Sequence, residues 1–170
     1  LYKTNLEDIE KLSGEVLAKD LFFYDPSKIT YNRNWGNREY RWGDINTPEF
    51  NFTFYSRASG NYKMTIFSDE KIVNVLTGIF SAGINYINYD LSIDMTAGKS
   101  FFDSIVEKYK DDKKIKVKLK DSGKYYLPPG KYKVELEAAG KKETQEFEVK
   151  ENKRGGNNFP SPFHNERERD

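Results

Sequence analysis

The chain has 170 residues and a net charge of +1, from 28 basic and 27 acidic side chains, with no cysteine and one histidine. That length fits one ordinary domain with room for an extra layer or arm, and the charge balance gives no long-range pull toward nucleic acid or acidic membranes. Disulfides, thiolate metal sites, cysteine nucleophiles and multi-histidine metal sites are excluded by composition, and His164, alone in a polar tail, gives no basis for a Ser-His-Asp triad.

No apolar run approaches the length of a membrane span, so none is expected. The chain starts at Leu1 without Met or a signal-like segment, which fits a fragment or a processed piece of a longer protein. Leu1-Tyr2-Lys3 reads as the end of a strand. Asn5 is a candidate N-cap, followed by Leu6, Ile9 and Leu12 at helical spacing, and Ser13 caps a second turn carrying Val16, Leu17 and Ala18. Leu21-Phe22-Phe23-Tyr24 is a short extended apolar segment that stops at Asp25-Pro26. It is expected to lie along the main body rather than to form a core of its own.

Tyr31 to Asp44 has a different texture. Both tryptophans are here, Trp35 and Trp42, each followed by glycine, with Arg33, Arg38 and Arg41 around them. One reading is a ligand platform of Tyr31, Trp35, Tyr40 and Trp42, whose rings stack on sugars or pair with cations, with Asn34, Asn37 and Asp44 bonding to hydroxyls. The other is a linker whose aromatics are buried as anchors. The second is favoured, because large aromatics usually find a core.

Phe50, Phe52 and Phe54 alternate with Asn51 and Thr53, which predicts a half-buried strand that turns at Arg57–Gly60. Asn61 to Leu91 is the stretch that organises the chain. Its β-branched and aromatic residues recur with period two in three runs, separated at Ser68-Asp69-Glu70 and at Ser81-Ala82-Gly83. The reading is an antiparallel meander, with four strands before the next interruption.

Thr96 to Tyr126 is that interruption. Ser100 is expected to cap a helix bearing Phe101, Phe102, Ile105, Val106 and Tyr109. The lysine-rich stretch from Lys108 to Lys120 invites an anion-binding reading. A solvated edge strand is favoured, because Ile115, Val117 and Leu119 alternate with lysines, and lysine guards sheet edges. Leu127-Pro128-Pro129-Gly130 is a rigid turn into a closing hairpin, Tyr132-Val134-Leu136 and Phe147-Val149, that bends at Ala139-Gly140. The result is a mainly β protein, an antiparallel β-sandwich. Residues 1–45 form an N-terminal arm with short helices. The sandwich spans 46–150, with an insert carrying one helix at about 96–126, and 151–170 is a flexible tail.

Two stretches carry a resemblance. Ser81 to Leu91 resembles a strand of the Ig-like module of the flagellar hook-capping protein type, with Tyr89 where tryptophan is usual. Leu127 to Leu136 together with Gly140 to Val149 resembles the tail that closes many bacterial sortilin-like or sialidase-type (BNR-repeat) β-propeller proteins, and Leu1 to Pro26 is similar to the link that leaves their last blade. The likeness runs in order over most of residues 1–150, and Lys99 to Lys120 has no counterpart in it. It implies an Ig-like sandwich that is the C-terminal accessory domain of a larger secreted or cell-surface protein of the Bacteroidetes type. Its partner would be its own N-terminal β-propeller or another surface protein, and any active site would lie in the propeller.

The function expected is therefore non-catalytic packing or protein–protein contact, with no enzyme activity, cofactor or metal. The alternative is a carbohydrate-binding module built on the Trp35/Trp42 segment. A carboxylate-pair glycosidase using Asp44, Glu49, Asp90 or Asp94 is disfavoured, since any acidic protein offers such pairs. Asp69-Glu70 and Asp94 sit at loop ends but lack the regular oxygen-ligand spacing of a calcium loop.

Overall fold

The computed structural model describes residues 13–38 and 40–152. The strand end at Leu1–Lys3, the helix from Asn5 and most of the tail, His164 included, lie outside the described residues.

The architecture is mainly β, two facing sheets. One has three strands in the order β1 (Leu21–Phe23), β3 (Phe50–Ser56) and β6 (Gly83–Tyr89). The other has five, in the order β2 (Ile29–Thr30), β8 (Lys141–Lys150), β7 (Gly130–Ala138), β4 (Gly60–Ser68) and β5 (Lys71–Phe80). All pairings are antiparallel except that of β2 with β8. Among the described residues two helices stand outside the sheets, α1 (Gly14–Leu17) and α2 (Lys99–Lys108).

Period-two sequence becomes two-sided strands. Phe50, Phe52, Phe54 and Ser56 of β3 face the core, as do Tyr132, Val134, Leu136 and Ala138 of β7, while the lysines and glutamates between the β7 residues face outward or stand half-buried. Aromatic rings join the sheets: Phe50 and Phe147 lie 4.9 Å apart, Phe52 and Phe147 5.5 Å, and Phe54 and Phe80 5.6 Å. Each such buried side chain contributes about 1.5–3 kcal/mol. Between β7 and β8 the turn residues Ala139 and Gly140 both have positive φ, 50° and 69°, which is what a two-residue hairpin loop of matching twist demands.

Four expectations need correction. The meander is not one sheet. β4 and β5 form a hairpin, but β6 crosses over to pair with β3. At the crossover Gly83 adopts φ 110°, and the Asn85 side chain clasps the Ser81 N–H (3.0 Å) and carbonyl (2.7 Å). Within the segment expected as an arm, residues 1–45, the described part is built into the sheets: β1 pairs with β3, β2 pairs with β8, and Tyr31 and Trp35 join the core. Three- and two-residue strands are too short for periodicity to reveal. The lysine-rich 115–119 stretch is not a strand and pairs with no sheet. It starts at a turn where Asp112 Oδ1 accepts the N–H groups of Lys114 (2.7 Å) and Ile115 (2.9 Å), and it buries Ile115.

The fourth correction concerns α2, which is capped by Gly98, not Ser100. Asp94 Oδ1 accepts the N–H groups of Thr96 (2.7 Å) and Ala97 (3.3 Å) just ahead of it. A side chain at Gly98 would run into the Val73 carbonyl, so glycine lets the helix start press against β5. The helix buries Phe101 and Ile105 and leaves Val106 exposed.

Candidate functional site

The Trp-bearing segment leaves the sandwich beside β8. Tyr31 N–H donates to the Lys150 carbonyl (2.8 Å), continuing the β2–β8 ladder. Asn32 then starts a turn: its Oδ1 accepts Asn34 N–H (2.9 Å) and its carbonyl accepts Trp35 N–H (3.1 Å). That turn drops the Trp35 ring edge-on against Tyr31, with centroids 5.5 Å apart. Both rings are buried, and burial pushes the Tyr31 hydroxyl above its ordinary value, opposed by a main-chain hydrogen bond at Lys116.

Gly36 follows at φ 73°, and its missing side chain makes room for Tyr126: a Cβ there would overlap the ring and lie 2.7 Å from Ser122 Oγ. The two arms of the loop are tied at their base, Gly36 N–H to Asn46 carbonyl (2.7 Å) and Asn46 N–H to Asn37 carbonyl (3.0 Å), with Arg38 bridging to Ile45 above them.

The insert braces this base from behind at three points. Ser122 N–H donates to the Gly36 carbonyl (2.8 Å), Lys120 Nζ donates to the Arg33 carbonyl (2.8 Å), and Arg38 N–H donates to Asp121 Oδ2 (2.9 Å). Lys120 is buried at this junction. Desolvation holds its ammonium below the ordinary lysine value, Lys118 pushes the same way, and Asp121 opposes them. The space enclosed by Tyr31, Trp35, Lys120 and Tyr126 is about 10 Å³, too small for a ligand.

Beyond the braces the loop projects. Gly43 N–H closes a turn onto the Tyr40 carbonyl (2.9 Å), and Arg38 Nη1 reaches the Gly43 carbonyl (3.1 Å). At the tip Tyr40 is 67% exposed and Trp42 86%, with the Arg41 guanidinium 5.7 Å from the Trp42 ring centre. The four residues named as a platform therefore separate into a buried pair, Tyr31 and Trp35, and an exposed pair, Tyr40 and Trp42. A surface that uses both tryptophan faces is not formed.

The candidate carboxylates do not converge. Asp44 and Glu49 are exposed, and Asp94 serves the turn before α2. Asp90 accepts Lys124 Nζ (2.6 Å) and Ser92 N–H (3.1 Å). Burial raises the Asp90 pKa, but these hydrogen bonds outweigh it and leave the carboxyl below its ordinary value. Asp69 and Glu70 are exposed at the β4–β5 turn, and among the described residues no three acidic or histidine side chains group as a metal site.

The functional parts missing from the sequence reading are the braces, Lys120, Asp121 and Ser122. They lie more than 80 positions from the loop they hold, as in the 83-residue separation of Arg38 and Asp121. The chain matches no family model, no curated protein and no solved structure.

Proposed function

We propose that this chain is a non-catalytic contact domain of a larger secreted or cell-surface protein, and that Tyr40-Arg41-Trp42 is where it meets another protein. The observation that carries the reading is Trp42, 86% exposed on a loop whose base is held by the insert. A large ring left in water is unfavourable unless something covers it, and Trp, Tyr and Arg are the residues on which interface energy concentrates. Bracing the base in advance lowers the ordering cost of binding. The resemblance of residues 127–149 to the closing strands of propeller proteins makes a β-propeller of the same protein the first candidate partner.

A glycan is the alternative occupant of the same tip. It would use Tyr40 and Trp42 alone, since Trp35 is buried.

The test is a photoreactive phenylalanine analogue placed at position 42 of the protein in its native cells, with exposed Val106 on α2 as the control position. A discrete protein adduct from position 42 and none from position 106 supports the contact reading. Equal labelling from both positions, or none from either, ends it. A polysaccharide that shifts Trp42 emission without any protein adduct selects the glycan.

A further inference from the structure

β5 ends the five-stranded sheet, and it is the longest of the four edge strands among the described residues: ten residues, against seven in β6, three in β1 and two in β2. From Ile72 to Phe80 it carries no charge. Sheets commonly guard such an edge with lysine, proline or a covering segment. Among the described residues cover exists here at one end, where Asp94 N–H donates to the Val73 carbonyl (3.0 Å) and α2 packs alongside. Past Asn74, no main-chain hydrogen bond among the described residues reaches the open side.

The contact at Val73 sets the phase of what remains. Its carbonyl points outward, so the amide N–H of Asn74 points inward to β4. Strand alternation then turns the main-chain groups of Val75, Thr77 and Ile79 to the open edge. Their side chains share the outer face of the sheet, all three are β-branched, and Ile79 is 85% exposed.

We propose that this edge pairs antiparallel with the same edge of a second copy of the chain, joining two five-stranded sheets into one. A register centred on Thr77 uses the uncovered length. It sets Thr77 opposite Thr77 of the partner subunit and Val75 opposite Ile79 of the partner subunit, a β-branched pair made twice. Charge supports a second copy as the occupant. An uncharged strand meets its own image without like-charge repulsion, and Lys71, the nearest charge along β5, falls past the end of the partner's strand. The two-fold pairing also closes on itself, so it yields a dimer and not a fibre.

Sedimentation equilibrium from micromolar to sub-millimolar concentration tests this. The expected result is a reversible rise toward twice the 19.9 kDa chain mass. Thr77→Pro removes an outward N–H at the centre of the pairing without touching the β4 ladder, and Thr77→Lys sets two like charges directly opposite each other across the two-fold axis. Both variants are expected to sediment as single chains. If Thr77→Pro fails to fold, Thr77→Lys decides alone, since that side chain already stands in solvent. Wild-type protein at single-chain mass throughout the range, or a dimer that survives Thr77→Lys, overturns the proposal.

Discussion

Trp35-Gly36 and Trp42-Gly43 are the same dipeptide on the same loop, yet one ring is 4% exposed and the other 86%. What stands behind each explains it. Trp35 meets Tyr31 and the insert, and its glycine takes a left-handed conformation so that Tyr126 can pass. Trp42 has the guanidinium of Arg41 beside its ring, and its glycine lies beside Tyr40, itself exposed. A tryptophan is an anchor or a contact residue according to its surroundings, and here one loop holds both kinds.

That contrast can be broken by substitution. Trp35→Ala opens a cavity at the base and is expected to lower stability by about 3–5 kcal/mol in urea denaturation. A loss under about 1 kcal/mol would mean the ring is not an anchor. Gly36→Ala forces an L side chain into positive φ and onto the Tyr126 ring, with an expected loss of about 2–4 kcal/mol. Gly43→Ala is its control. The added methyl comes within 3.2 Å of a Tyr40 ring that is free to turn outward, so the expected change stays within about 1 kcal/mol.

Acid sharpens the same comparison. Lys124 lies in the insert near the braces, and its ion pair with Asp90 ties the insert to the end of β6. Because the folded protein holds the Asp90 pKa below its ordinary 3.8, the pair stabilises fully above that value. The stabilisation is lost as pH falls from there through the lower folded value. Over that window Trp35 emission is expected to move toward that of an exposed ring while Trp42 emission stays constant, read in single-tryptophan variants. Asp90→Asn is expected to flatten the response, and an unchanged acid profile in that variant would remove Asp90 from the account.

The smallest stability effect belongs to Trp42→Ala, within about 0.5 kcal/mol, because the ring already stands in water. Its consequence is expected in binding instead, as loss of the partner contact.

Strand β3 and the β7–β8 hairpin were legible from residue type alone. Alternation of phenylalanine with asparagine and threonine, or of Val134 and Leu136 with glutamate, is a local consequence of extended backbone geometry, so it survives without knowledge of the fold. The aromatic loop is legible as a candidate, with two opposite readings of its four rings. Sorting them required Lys120, Asp121, Ser122 and Tyr126, which sequence places far away and space places directly behind Trp35 and Gly36.

The same limit explains β6 and the lysine-rich stretch. Period two says that a strand buries one face; it is silent on which sheet receives it. β6 joined β3 because its Ile87 and Tyr89 complete the core beside Phe50 and Phe52. Ile115 and Val117 alternate as a strand would, yet Ile115 packs into the core and Val117 lines the junction beside Tyr31 and Trp35, and among the described residues neither pairs with a strand. Local chemistry therefore set the mainly β character, the turns and the inward phase of each strand. Tertiary packing chose the sheet partners, the buried tryptophan and the exposed one, because those outcomes depend on contacts between residues that chain order keeps apart.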